Sequence, residues 1–343
     1  MKILLVGETN RGSRTPQRVQ ALRDLGHEVT VIGTTPPGWS YESRPGIVER
    51  IRYHLRIPLD RTDAGKEMAR AASGHDALVL DNARAIHPDA LRAARHGAPD
   101  IRMIWYSEDD MLNPIHRTRW TERSLGLFDL CVTTKSFNAR PEELPALGAR
   151  RVLFVDNTYC PHAHCPIRVS EDEGVRWGSP VSFVGTFENP RAGAMLELAR
   201  AGISIRIWGN GWARWQNRHP LMTVENKPAY GDDYRRVVAA SAVNLCFLRH
   251  GNRDRQTCRS IEIPAMGGFM LHEYSEEMAA LFAPDREAVY FRDTGDLVGQ
   301  CRAWLGTAAR ATVAAAGHRR AVEGGFSHSD RWRFILDRAM AES

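Results

Sequence analysis

The sequence predicts an α/β protein of two Rossmann-like, doubly wound domains that face each other across a cleft. Three observations carry this expectation. The chain has 343 residues, enough for two ordinary domains. Short apolar runs of the kind buried on both faces of a parallel sheet alternate with helical stretches, and the alternation restarts near residue 181. Polar residues gather where those strands end, which is where an open parallel sheet holds its ligands.

The first strand is the run Lys2 to Gly7, closed by glycine. A helix follows over 16–25 with Val19 and Leu22 on one face, Gly26 ends it, and 27–33 is the second strand. The residues after Gly7 are too loose and polar for the tight turn of a dinucleotide fingerprint, so no nicotinamide or flavin is expected there. Further strands are predicted over 51–53, 77–80, 101–106, 130–133 and 151–155, with helices over 88–96 and 118–128. Their ends carry Asp81 and Asn82, then Ser107 to Asp110, then Thr134 to Ser136, then Asp156 to Thr158.

Residues 156–180, with several prolines and an acidic run, read as the passage between domains. The group Cys160, His162, His164 and Cys165 matches no usual zinc spacing, and His164 is read as a loop histidine facing the cleft. In the second half, strands are expected over 181–184, 203–208, 242–247, 268–272 and 288–291. Helices fall between them and over 297–305, the alanine-rich stretch after it, and 329–341. The domain expectation is therefore 1–165 and 166–325, followed by a terminal helix over 326–343.

Composition narrows the function. Charged residues make up 25% and hydrophobic ones 43%, and the net charge of +5 is spread without a basic block. A nucleic-acid partner is not indicated, whereas a small or headgroup-linked anion suits the balance. Six cysteines at irregular spacing suggest a reduced, cytoplasmic protein, and no run reaches transmembrane length.

The stretch NRDRQTCRSIEIPAMGG at 252–268 places polar groups beside an apolar turn. A nucleoside diphosphate sugar needs cations or N–H groups for its phosphates, a carboxylate for its ribose diol, and fixed donors for its leaving group. Arg249, Arg255 and Arg259 are the candidate cations. Glu262 is the candidate diol acceptor, and Gly267 and Gly268 allow close backbone approach. The other reading is that Glu262 only holds an arginine in an internal ion pair.

This chain resembles the CgeB-like glycosyltransferases, related to a spore-maturation protein and built on the GT-B plan. The resemblance is carried by LRHGNRD at 248–254, TCRSIEIPAMG at 257–267 and EAVYF at 287–291. In the first half it is carried by DDM at 109–111, DLCVTTKSFN at 129–138 and GARRVLFVDN at 148–157. It spans roughly residues 100 to 305. It implies a nucleotide-sugar donor in the C-terminal domain 166–325 and an acceptor near the N-terminal domain 1–165, with the terminal helix 326–343 packing back on the N-terminal one and Glu262 on the ribose. It places Asp254 where relatives carry a glutamate near the sugar, so Asp254 touches the sugar or orients Arg255 or Arg259. It makes Gly185 and Thr186 a phosphate-side loop. The turn Gly209, Asn210, Gly211, Trp212 becomes a base-side loop, with Trp212 stacked on the base or part of the core.

The activity so implied is transfer of a sugar from a nucleotide diphosphate donor to a hydroxyl of a small-molecule, glycan or lipid-linked acceptor, with no cofactor and no metal. The alternatives are an epimerase, a phosphorylase, or a nucleotide-sugar-binding module without chemistry. A pyridoxal phosphorylase would have to use Lys227, the one lysine of the second half. An inverting transfer needs a base for the acceptor proton. Asp109 or Asp110 is the first choice, His164 the second and Glu8 the third, with Lys135 and Asn138 positioning acceptor or phosphate.

Overall fold

The structure is a computed structural model and describes residues 1–341. The chain forms two compact units, one of Met1–Asp156 together with the chain from His328 onward, the other of Asn157–Ser327.

The first unit contains β1 (Lys2–Gly7), α1 (Thr15–Asp24), β2 (Glu28–Gly33), α2 (Ile47–His54), α3 (Ala64–Ala71), β3 (Ala77–Asp81), α4 (Pro88–Gly97), β4 (Arg102–Ser107), α5 (Arg119–Ser124), β5 (Leu130–Thr133) and β6 (Val152–Phe154). The strands pair in the order β2-β1-β3-β4-β5-β6, all parallel. The order reverses between β1 and β3, which makes that junction the switch point of the sheet. Ile3 to Gly7 of β1 and all of β3 are buried, as strands covered on both faces must be.

Residues 51–53 are not a strand. They belong to α2, whose start is fixed by the Gly46 N–H donating to Glu49 Oε2 at 2.7 Å. The alternation Ile51, Arg52, Tyr53 is too short to separate a strand from one side of a helix. Helix α3 also goes beyond the sequence reading.

The second unit contains α6 (Glu171–Trp177), β7 (Val181–Val184), α7 (Asn189–Arg200), β8 (Ile205–Trp208), β9 (Met222–Val224), α8 (Asp232–Ala240), β10 (Val243–Cys246), α9 (Arg259–Ala265), β11 (Met270–Glu273), α10 (Glu276–Leu281), β12 (Val289–Phe291), α11 (Thr294–Leu305) and α12 (Ala309–Glu323). Its parallel sheet has the order β12-β11-β10-β7-β8-β9, with the switch point between β7 and β10. Part of the segment read as a linker is α6, closed by a capping box: Glu173 N–H donates to Ser170 Oγ at 3.2 Å and Ser170 N–H to Glu173 Oε2 at 3.0 Å.

The passage between units falls at Asp156, earlier than residue 165, because the next residues are bonded into the second unit. Asn157 N–H donates to Gln256 Oε1 at 2.8 Å, and Tyr159 N–H to the Phe326 carbonyl at 3.1 Å. The chain returns at His328 with α13 (His328–Met340). Trp332, Ile335, Leu336 and Ala339 recur at helical spacing and enter the core beside Ile3, Leu5, Val19 and Leu22. Each large side chain so buried contributes about 1.5–3 kcal/mol. No helix among the described residues is long and apolar enough to cross a membrane.

Candidate active site

In the second unit, three arginines gather at the carboxyl ends of β7 and β10. Arg249 follows β10, Arg259 opens α9, and Arg191 lies in the first turn of α7. Arg191 is 3% exposed, its Nη1 donates to the Thr186 carbonyl at 3.3 Å, and its Nε has no hydrogen-bond partner. Burial and then the neighbouring Arg259, with a smaller push from Arg249, bring the Arg191 guanidinium down to about 10. The carboxylate among them is Glu188, which accepts from Arg249 Nε at 2.9 Å and lies 3.5 Å from Arg191 Nη2. Arg191, Arg249 and Arg259 bring positive charge to the switch point, with Glu188 between two of them and backbone of the Gly185 and Thr186 loop beside it. Such a site is suited to a dianion.

The carboxylate of Glu262 lies one turn along α9. Its residue is 3% exposed, and His164 Nε2 stands 3.8 Å from Oε1. The Cys160 N–H donates to His164 Nδ1 at 3.0 Å. That nitrogen must therefore be the acceptor, so neutral His164 carries its proton on the nitrogen turned to Glu262. Segment 160–166 is clamped by Arg235, whose Nε and Nη2 donate to the carbonyls of Cys165 at 2.9 Å and Pro166 at 3.1 Å. His164 thus belongs with Glu262 in the second unit. Among the described residues no three His, Cys, Asp or Glu converge as metal ligands.

Other members of the expected donor set divide. Asp254 is half-buried and accepts from Asn252 Nδ2 at 2.7 Å, while Arg255 pairs with Glu277 at 3.2 Å. Gly209 has φ +151, and a Cβ there would sit 1.9 Å from the Gly185 carbonyl oxygen, so these two loops touch backbone to backbone. Gly211 packs on Phe187, Gly267 is exposed at the end of α9, and Gly268 is buried against Val238. Gly268 therefore serves packing and offers no approach to a ligand. Trp212 takes the core alternative. It is 0% exposed, its Nε1 donates to the Gly185 carbonyl at 2.9 Å, and its ring packs edge-on against Phe183 and Phe187. A base cannot stack on it there; it braces the Gly185 loop instead. Lys227 is mostly exposed and lies 3.8 Å from Glu225, without the enclosure a Schiff-base lysine requires.

Beneath the cluster, Ser260 Oγ lies 2.7 Å from His272 Nε2 and 3.8 Å from Cys246 Sγ. Burial alone would push the Cys246 thiol up, but the charge and hydrogen bond of His272, helped by Arg259, bring it down to about 7.

The first unit holds a separate cavity of about 330 Å³ at its own switch point. Glu8 and Asn82, just past β1 and β3, line it, with Arg56, Arg84 and the aromatic Trp39 and Tyr41. Glu8 accepts from the Tyr41 hydroxyl at 2.7 Å, and burial, then Glu8, raise that phenol above its usual range. The acidic loop after β4 sends its side chains three ways. Glu108 pairs with the buried Arg18. Asp109 lies near lining residues, 3.5 Å from Asn82 Nδ2 and 3.7 Å from Arg84, with His116 Nδ1 at 3.6 Å. Asp110 is buried and accepts from the Leu112 N–H at 3.0 Å and Asn138 Nδ2 at 3.1 Å. Asp110 and Asn138 therefore hold the loop, and Lys135 is buried as well; none of the three presents a side chain to an acceptor. His116 and Arg191 escaped the sequence reading. A histidine six residues beyond Asp110 and an arginine after Asn-Pro at a helix start were the available signals.

Compared with known proteins, residues 191–337 match a family described as glycosyl transferase-like. Compared by sequence with curated proteins, the chain matches none. Among solved structures it is similar to sucrose-phosphate synthase from Thermosynechococcus elongatus, at 13% identity and TM-score 0.67, covering 98% of each chain. It is similar to Anabaena HepE in complex with UDP and glucose, at 12% identity and TM-score 0.61, covering 98% of this chain and 100% of that one. It is also similar to AviGT4, a glycosyltransferase involved in avilamycin A biosynthesis, at 15% identity and TM-score 0.59, covering 99% of this chain and 97% of that one. With two parallel Rossmann-like sheets and similar solved structures over nearly its whole length, the chain has the GT-B fold, and its residues 191–337 are similar to a glycosyl transferase-like family.

Proposed function

We propose that the second unit binds a nucleoside diphosphate sugar and that its sugar is transferred to a hydroxyl of an acceptor held in the cavity of the first unit. The observation that carries the reading is the cluster of Arg191, Arg249 and Arg259 around Glu188 at the β7 and β10 switch point. A diphosphate would neutralise its excess charge without a metal ion. Glu262, oriented by His164, accepts from the ribose hydroxyls. Gly185, Thr186, Gly209, Gly211 and Gly267 bring backbone to the nucleotide, and Asp254 lies on the sugar side. In an inverting reaction Asp109, with His116 beside it, takes the acceptor proton, and Glu8 binds an acceptor hydroxyl. The complex of HepE with UDP supports testing uridine donors first. The finer kinship with CgeB-like proteins and a cytoplasmic location rest on the sequence motifs and the cysteine pattern.

The experiment is release of nucleoside diphosphate from UDP, GDP and dTDP sugars, with and without hydroxyl acceptors, and again in chelator. Release with one donor, stimulated by acceptor and unchanged by chelator, is expected. Tight donor binding with no release under any acceptor would reduce the protein to a binding module. Failure to bind any nucleoside diphosphate would end the proposal.

A further inference from the structure

Of fourteen large apolar side chains exposed among the described residues, seven lie between residues 41 and 59. Helix α2 is their centre, and it has no buried residue at all. Ile47 is 75% and Ile51 54% exposed, and Val48 and Leu55 are bare beside them. At about 100° per residue these four fall within an arc of about 100°. Glu49, Tyr53 and Arg56 point the other way and line the cavity of the first unit. One side of α2 is thus a cavity wall, and the opposite side is an unpartnered apolar stripe.

Charge says what covers that stripe. Arg44 and Arg50 are exposed at its border, and Arg52 and His54 flank it. The carboxylates of this stretch are Glu42 and Glu49, and Glu49 is turned inward to Arg61 at 2.6 Å. A bare helix with a narrow apolar stripe and a basic border has the form of a segment that lies in a headgroup layer. We infer that α2 seats the first unit on an anionic lipid bilayer, with Ile47, Val48, Ile51 and Leu55 in the interface and the arginines on lipid phosphates. The inference stands apart from sugar transfer, because lipid binding is read without turnover.

The test is co-sedimentation of the full chain with vesicles of phosphatidylcholine mixed with phosphatidylglycerol, and with vesicles of phosphatidylcholine alone. Wild type should sediment with the mixed vesicles and be released by high salt. Ile47→Ser with Ile51→Ser should abolish sedimentation. Arg44→Gln with Arg50→Gln should weaken it by about fivefold for each arginine. None of these side chains is buried, so unchanged melting temperatures are expected and verify the fold. Absence of wild-type sedimentation, or sedimentation undiminished in the isoleucine pair, overturns the inference. So does a concentration-dependent dimer that the isoleucine pair dissolves while vesicles remain unbound, since the stripe would then belong to a second copy.

Discussion

His164 Nε2 faces Glu262 Oε1 at 3.8 Å while the Cys160 N–H occupies its other ring nitrogen. A histidine held this way orients a carboxylate and has no free nitrogen for an acceptor hydroxyl. Glu262→Ala should raise the donor KM by about one to two powers of ten, the loss of a buried acceptor worth about 1–3 kcal/mol. His164→Phe should raise it less, with kcat at saturating donor kept within about twofold. Steady-state kinetics decide: a collapse of kcat with KM unchanged in His164→Phe would return the histidine to the role of base.

Arg191 is the test of the cationic switch point. Arg191→Met should weaken a nucleoside diphosphate by about tenfold or more and the free nucleoside hardly at all, since charged hydrogen bonds contribute about 1.5–3 kcal/mol. Calorimetric titration of both ligands measures this. Equal losses for the two would make Arg191 a packing residue of the Gly185 loop.

The two adjacent aspartates should separate cleanly. Asp109→Asn should lower kcat by about 100-fold or more at saturating donor, with donor affinity kept. Asp110→Asn should leave kcat near wild type and cost about 1–3 kcal/mol of stability, because it disturbs the acceptor of Leu112 N–H and Asn138. Kinetics and denaturant melts on the same two proteins give both numbers.

Cys246 and His272 titrate as a pair. The Cys246 thiol falls from an ordinary 9.0 to about 7 in the folded chain, while burial lowers His272 but the Cys246 charge and hydrogen bond raise it overall. An ion pair made from a thiol and a neutral imidazole takes up no net proton, so its contribution to stability does not vary with pH between the ordinary values of the two groups. The gap in melting temperature between wild type and Cys246→Ala should therefore stay nearly flat from about pH 7 to 9.0. A gap that narrows as pH is lowered over that interval would mean that the thiolate forms without a charged His272.

The strand ends were legible because polar residues after buried strands stand out, Glu8 and Asn82 in one sheet, Gly185 and Arg249 in the other, whereas the strand order that makes them switch points was not. What stayed hidden depends on loop paths. Asp109 and Asp110 are adjacent and chemically alike, yet the turn closed by the Asn113 N–H to the Asp110 carbonyl at 3.1 Å points them to different partners. Trp212 follows a glycine turn like an exposed aromatic, and Gly185, Phe183 and Phe187, which close on it, are distant in sequence. Arg191 reads as a solvated helix residue until Arg249 and Arg259 are brought beside it. Helix α2 was missed because its apolar side faces nothing, whereas pattern reading assumes that an apolar side is covered.

The return of the chain at His328 bears on synthesis. Domains are usually completed from the N-terminus as the ribosome proceeds. Here the first-made sheet leaves the ribosome without Trp332, Ile335 and Leu336, and its apolar face beside Ile3 and Leu5 stays open until they emerge. The middle segment, 157–327, has all its strands and helices earlier. The nascent protein should mature from the middle outward. A stalled chain ending before residue 328 would present a finished second unit and an unfinished first one exposed to chaperones.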